Sequence, residues 1–118
     1  MLYNIPGRTG INMSVNTIVR LAAHKNIIGV KEASGDLTQC MEIVRLAPKD
    51  FLLVAGDDLL AVPMISVGGS GSIAVLPNLF PDQFSEMVRF ALKGDFASAR
   101  NILLTFTELN PLLYAEGN

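Results

Sequence analysis

Tryptophan is missing from this chain, cysteine occurs once, and charge is sparse: of 118 residues, 9 are Lys or Arg and 11 are Asp or Glu. A single cysteine excludes a disulfide framework and a cysteine-based zinc site. A net charge of −2 leaves no basic footprint for nucleic acid or an anionic membrane surface, so neither is expected as a partner. Long apolar runs are lacking too. Asp57, Asp58, Pro63 and several glycines interrupt the richest stretch before it reaches the roughly 18 residues that span a bilayer. The opening Met-Leu-Tyr-Asn-Ile-Pro has neither a basic region nor a signal-like apolar one, so the expected location is cytoplasmic. What the chain does have is apolar material: 50% of its residues are hydrophobic and only 17% charged, which excludes disorder. The length suits one domain. A strand-like run begins at the second residue, which leads us to expect missing sequence upstream.

Residues 2–5 form a short apolar run closed by Pro6-Gly7, a strand and a turn. Ser14 is placed to cap a helix with the stripe Val15, Ile18, Val19 and Ala22. Residues 27–30 are continuously apolar and rich in β-branched side chains, as in a strand buried on both faces. Asp36 is placed to cap a helix with Leu37, Cys40, Met41, Val44 and Ala47 on one face, ended by Pro48. Residues 51–55 read as a strand running into Gly56-Asp57-Asp58. The apolar stretch 59–67 reads as a short or kinked helix around Pro63. Gly68-Gly69-Ser70-Gly71 reads as a loop and residues 72–76 as a strand. Pro81 opens a helix with Phe84, Met87, Val88, Ala91 and Leu92 inward, stopped at Gly94. Asp95 caps a last helix carrying Ala99, Ile102, Leu103, Phe106 and Leu109, and the tail Glu116-Gly117-Asn118 has no closing element.

The expected order is therefore βαβαβαβα plus one helix, an α/β fold with a parallel sheet. The strands end near Ile5, Lys31, Ala55 and Val75, in steps of 26, 24 and 20 residues. So regular a period points to repeated βα units rather than to a doubly wound sheet with its reversal. Eight such units, about 250 residues, close a (β/α)8 barrel, and four make half of one. Half a barrel leaves two raw sheet edges and an uncovered apolar inner face, which agrees with the high apolar fraction.

In a parallel barrel, chemistry sits at the C-terminal ends of the strands. Lys31 ends a buried apolar run. An amine stripped of water there is a nucleophile suited to a Schiff base with a carbonyl substrate; alternatively it snorkels outward or pairs with Glu32. Arg8, between glycines in Pro-Gly-Arg-Thr-Gly, matches a carboxylate bidentately, or is a surface arginine in a turn. Tyr3 is a proton relay or a core tyrosine. Asp36, Asp57 and Asp58 are most simply helix caps. His24 lies near a helix C-terminus, where the helix dipole accounts for it, and Cys40 falls on the apolar stripe. The run Gly68-Gly69-Ser70-Gly71 precedes a strand, on the face opposite the active site. Close backbone packing explains it better than phosphate binding.

Tyr-Asn-Ile-Pro-Gly-Arg-Thr-Gly at 3–10, Gly-Val-Lys-Glu-Ala-Ser-Gly-Asp at 29–36, Gly-Asp-Asp at 56–58 and Gly-Gly-Ser-Gly-Ser-Ile-Ala-Val at 68–75 occur in this order. Together they resemble the dihydrodipicolinate synthase family, within the Schiff-base lyase superfamily that includes N-acetylneuraminate lyase. The Gly-Arg pair and the Lys-Glu-Ala-Ser context favour the synthase. The resemblance implies a (β/α)8 TIM barrel in which a lysine forms a Schiff base with pyruvate. The enamine then adds to aspartate semialdehyde and the product cyclises, the entry step of diaminopimelate and lysine biosynthesis. Lys31 matches the Schiff-base lysine and Tyr3 the relay tyrosine. Arg8 matches the arginine that holds the semialdehyde carboxylate, and Gly56 and Ile73 match positions whose carbonyls line the pocket. No metal or organic cofactor is implied.

The resemblance also sets what is missing. The family's first four βα units should precede Tyr3. With them go the paired threonines behind the relay tyrosine, a second tyrosine lent across a dimer interface, and most of the lysine feedback site. The family's C-terminal helices should follow Asn118. Residues 1–118 are thus expected to be one partial domain, the second half of a barrel: about four βα units plus a following helix. It should assemble as a homo-oligomer or pair with a missing half barrel. Two other readings stand beside this one: a non-catalytic fragment or interaction module, and another pyruvate-dependent aldolase of the superfamily.

Overall fold

The computed structural model describes residues 1–116; the expected unclosed tail extends to positions 117 and 118, outside the described residues. Four strands, β1 (Leu2–Asn4), β2 (Gly29–Glu32), β3 (Leu52–Ala55) and β4 (Gly71–Ser72), form one sheet in the order β1-β2-β3-β4. Every neighbouring pair is parallel. Sheet order that follows chain order, with no reversal, is the wall of a (β/α)8 barrel and not a doubly wound sheet. The helices are α1 (Pro6–Thr9), α2 (Val15–Ala22), α3 (Leu37–Leu46), α4 (Ala61–Ser66), α5 (Pro81–Leu92), α6 (Phe96–Phe106) and α7 (Asn110–Leu113). A 3-10 turn at Leu76–Asn78 follows β4.

Local chemistry starts the helices where the sequence places the caps. Ser14 Oγ accepts the Thr17 amide at 3.3 Å, an Asp36 carboxylate oxygen the Gln39 amide at 3.0 Å, and an Asp95 oxygen the Ser98 amide at 3.1 Å. Each satisfies one of the amides that a helix start leaves without a partner. Pro63 is the third residue of α4, where a missing N–H costs nothing. The core lies between one face of the sheet and the helices: Ile18, Val30, Ile43, Leu53, Met64, Leu76 and Met87 are all buried. Phe106 of α6 packs on Phe80 and Phe84, with ring centroids 5.8 and 6.0 Å away. Cys40 is core, as its place on the stripe implies. Burial first, then the charges of Glu32 and Asp36, push its thiol up to about 11.

Several elements differ from expectation, each for a local reason. β2 begins at Gly29, not Ile27, because the Ile27 amide closes a turn on the His24 carbonyl at 2.8 Å. β4 is only Gly71–Ser72, and residues 73–76 are not strand. There the Asp58 carboxylate accepts the amides of Val75 at 2.9 Å and Leu76 at 2.6 Å and bends the chain into the 3-10 turn. On α3 the buried residues are Gln39, Cys40 and Ile43, while Met41 and Val44 are exposed. The helix is rotated because Gln39 bonds the buried Glu32, at 3.1 Å. Leu92 and Leu109 are exposed rather than inward, and Leu109 lies beyond the end of α6. Pro6-Gly7 opens the short α1 instead of a simple turn, and α7 had no counterpart in the sequence reading.

Candidate active site

Alternation along a strand sends neighbouring side chains to opposite faces. In the ladder Tyr3 lies opposite Lys31 and Lys31 opposite Val54, so these three share the face away from the helices. Asn4, Glu32 and Ala55 form the next row, on the helix face, and all are buried. Lys31 is therefore the penultimate strand residue, followed by Glu32, rather than the last. The pairing of Lys31 with Glu32 is not formed, because the sheet lies between them.

The Lys31 Nζ sits over the Tyr3 ring, 4.3 Å from its centroid. An ammonium is held there by the negative ring face, and a neutral amine keeps the same position by contact. Gly56 follows β3, its amide donating to the Glu32 carbonyl at 2.8 Å. A Cβ at Gly56 would stand 2.8 Å from the Ala33 Cβ and 3.1 Å from the Lys31 Cε. Glycine is thus required chiefly by the approach of the Ala33 side chain, with the Lys31 stem packed beside it. Gly56→Ala is expected to destabilise the fold by about 1–3 kcal/mol through overpacking, and to slow reaction of the Lys31 amine by displacing its stem. Thermal melting and the rate of amine labelling check this; unchanged values for both would refute the packing argument.

Tyr3, Arg8, Lys31 and Gly56 all line one open cavity of about 400 Å³, whose wall also includes Asp57, Asn110 and Tyr114. Arg8 lies in α1, whose turn is closed by the Arg8 and Thr9 amides on the Ile5 carbonyl at 3.0 and 3.1 Å. Of the five site residues expected from the sequence, four meet in this cavity. Ile73 is not among its lining residues; its amide donates to the Ala55 carbonyl at 2.9 Å and its side chain is half exposed.

The acidic residues divide. Asp36 caps α3 as expected. An Asp57 oxygen accepts the Leu59 amide at 3.0 Å, closing a local turn. Asp58 is buried and caps no helix of its own unit. It binds the turn after β4, and its other oxygen accepts the Tyr114 hydroxyl at 3.4 Å. Burial, then the charge and hydrogen bond of Asp58, raise the Tyr114 phenol above the ordinary tyrosine range. Tyr114 and Asn110 escaped the sequence reading because nothing in the local pattern around them signals a cavity; they arrive there through the path of α6 and α7. The Asn110 Oδ1 is buried with no hydrogen-bond partner. His24 is exposed, and its Nδ1 accepts the Asn26 amide at 3.2 Å. At the far end of the sheet, a Cβ on Gly69 would stand 2.8 Å from the Met64 carbonyl oxygen, in keeping with close packing of the glycine run. Among the described residues, no group of three or more His, Cys, Asp or Glu is placed to hold a metal ion, and no helix is long and apolar enough to cross a membrane.

Comparison with known proteins follows the same lines. The family model of the dihydrodipicolinate synthetase family matches residues 1–118. A 4-hydroxy-tetrahydrodipicolinate synthase of Cytophaga hutchinsonii is 56% identical over 118 residues, which are 100% of this chain and 40% of that protein. The crystal structure of dihydrodipicolinate synthase from Aquifex aeolicus superposes with a TM-score of 0.92 at 38% identity, over 95% of this chain and 39% of that one. A chloride-inhibited dihydrodipicolinate synthase from Acinetobacter baumannii, complexed with pyruvate, superposes with a TM-score of 0.93 at 34% identity, over 99% of this chain and 40% of that one. The chain thus spans about 40% of the length of the curated relatives it matches.

Proposed function

The chain belongs to the dihydrodipicolinate synthetase family, and from that premise we propose that it carries the Schiff-base half of a 4-hydroxy-tetrahydrodipicolinate synthase. Residues 1–118 are one partial barrel domain, the second half, and the family's first βα units and C-terminal helices lie outside this stretch. The complete enzyme condenses pyruvate with L-aspartate 4-semialdehyde in diaminopimelate and lysine biosynthesis. The observation that carries this reading is the Lys31 amine over the Tyr3 ring, in a cavity whose wall also includes Arg8 and Gly56.

The chemistry follows from those positions. The neutral Lys31 amine attacks the keto carbon of pyruvate; the carbinolamine loses water and leaves an iminium on Lys31. Tyr3, whose ring faces the Lys31 amine, is given the passing of the protons that dehydration requires, through its hydroxyl in the closed barrel. Loss of a methyl proton gives the enamine, whose carbon attacks the semialdehyde aldehyde. The amino group of that substrate then displaces Lys31 from the imine carbon and closes the ring, freeing the lysine. Arg8 binds the semialdehyde carboxylate at the mouth of the cavity, where a guanidinium fork fixes its orientation. The Gly56 backbone lines the pyruvate subsite; Ile73 lies beyond the end of β4 and outside the cavity lining, and has no part in it. The substrates are small molecules, and the assembled enzyme is a homo-oligomer in the cytoplasm.

The test uses this chain in place of the matching stretch of the Cytophaga hutchinsonii synthase, so that a complete barrel is present. Pyruvate with borohydride is expected to fix a label on Lys31, located by peptide mass spectrometry. In the same protein, Arg8→Ala should leave that label intact while weakening use of the semialdehyde. Loss of a bidentate charged contact costs about 1.5–3 kcal/mol, roughly ten- to a hundredfold in kcat/KM. A label on another residue, or equal loss in both half-reactions, would count against the assignment.

A further inference from the structure

Behind the sheet, directly beside the proposed nucleophile in sequence, lies a buried carboxylate. Glu32 is 1% exposed. Its Oε1 accepts the Asn4 side-chain amide at 3.0 Å and the Ser34 backbone amide at 2.7 Å. Its Oε2 accepts the Asn4 and Gln39 side-chain amides at 2.9 and 3.1 Å. All of these donors are neutral amides. Burying a carboxylate is costly, and an apolar side chain would fill the same space at lower cost. What an apolar side chain does not do is gather donors from separate segments.

Those segments are the ones that carry the proposed site. Asn4 lies opposite Glu32 in the ladder, one step from the Tyr3–Lys31 pair. Its Oδ1 accepts the Met13 amide at 3.0 Å and its Nδ2 also reaches the Asn12 Oδ1 at 2.7 Å. The Asn12 Nδ2 donates in turn to the Gln39 Oε1 at 3.0 Å. The network therefore clamps three things onto β2: the strand bearing Tyr3, the segment that follows Arg8, and α3. β1 has only three residues, paired with β2, so its own ladder is a weak constraint on where the Tyr3 ring stands.

Resting on the Schiff-base reading above, we propose that Glu32 is a positioning residue: its carboxylate holds Tyr3 over Lys31 and holds the Arg8 segment at the mouth of the cavity. It touches no substrate. Its effect passes through Asn4, Asn12 and Gln39.

In the same hybrid enzyme, Glu32→Gln keeps the shape but turns one acceptor into a donor facing another donor. The rate of borohydride-trapped adduct at saturating pyruvate is expected to fall at least about tenfold in protein that remains folded, as misplacement by a fraction of an ångström to an ångström implies. The KM for the semialdehyde should rise with it. The double variant Glu32→Gln, Asn4→Asp exchanges donor and acceptor across the ladder, with Asn12 and Gln39 free to flip their amides. It is expected to recover to within about threefold of the parent. A role confined to stability predicts a lower melting temperature with unchanged trapping rate and KM. That result, or a double variant no better than the single one, overturns the proposal. Should Glu32→Gln fail to fold, Gln39→Met removes one donor and is expected to slow trapping about threefold; an unchanged rate there overturns it equally. If the parent hybrid labels Lys31 and Glu32→Gln is indifferent, only the positioning role is rejected. If the parent does not label Lys31, the Schiff-base reading falls, and this inference with it.

Discussion

Lys31→Arg, in a complete barrel, is expected to fold normally and form no pyruvate adduct at all. The guanidinium preserves the charge and its place over the Tyr3 ring, which lies 4.3 Å from the native amine, and aromatic faces hold arginine at least as well as lysine. It also keeps an aliphatic stem of similar length beside Gly56. What it lacks is a nucleophilic nitrogen, because the guanidinium stays protonated. Condensation should fall by three or more orders of magnitude, on the order of 4 kcal/mol or more in the barrier, since one member of a cooperating set is removed. Lys31→Ala should behave alike in activity but lose the ring contact as well. Mass spectrometry of the borohydride-treated protein and a coupled condensation assay measure both effects. An arginine variant that still traps pyruvate would place the nucleophile elsewhere.

The 118-residue chain alone is expected to self-associate and to turn over substrate negligibly. Its sheet has two outer strands, β1 and β4, each paired on one side only. Among the described residues, the face carrying Tyr3, Lys31 and Leu52 is only partly covered, and Tyr3 and Leu52 remain 46% and 38% exposed. The molecule is a slab, 37 × 35 × 23 Å. Open parallel edges and an apolar face only partly covered drive association, because pairing satisfies the edge amides and removes apolar surface from water. A second copy offers the same edges. On the proposed reading, turnover should be lost because these 118 residues hold only part of the site, and removing members of a cooperating set forfeits most of the rate. Light scattering and the condensation assay on the purified chain decide together. A monodisperse monomer turning over like a complete synthase would overturn the half-barrel account.

Much of this was legible from local rules. The serine and aspartate caps at 14, 36 and 95 start α2, α3 and α6 as their side-chain chemistry requires, and the 20–26 residue period of the apolar runs places four parallel strands in chain order. Lys31 was legible as a candidate from its place at the end of a buried run; Tyr3, Arg8 and Gly56 were picked out by the motifs of the family resemblance, which also named Ile73, outside the cavity lining.

Contacts between units were not legible. Asp58 reads as a local cap, yet its carboxylate serves the turn after β4, 17 and 18 residues on, and shortens that strand to Gly71–Ser72. Gln39 lies off the apolar stripe expected to face inward on α3, yet Glu32 draws it inward, which rotates the helix and leaves Met41 and Val44 exposed. Tyr114 and Asn110 enter the cavity through the course of α6 and α7. The sequence by itself determined the parallel sheet, the order of its strands and the helices α2 to α6, because propensity, capping and apolar period act over a few residues; the short α1 and α7 were not among them. The tertiary structure alone decided the helix rotation, the length of β4 and the far wall of the cavity. Buried carboxylates at Glu32 and Asp58 must find donors wherever the fold brings them, and that demand overrides local pattern.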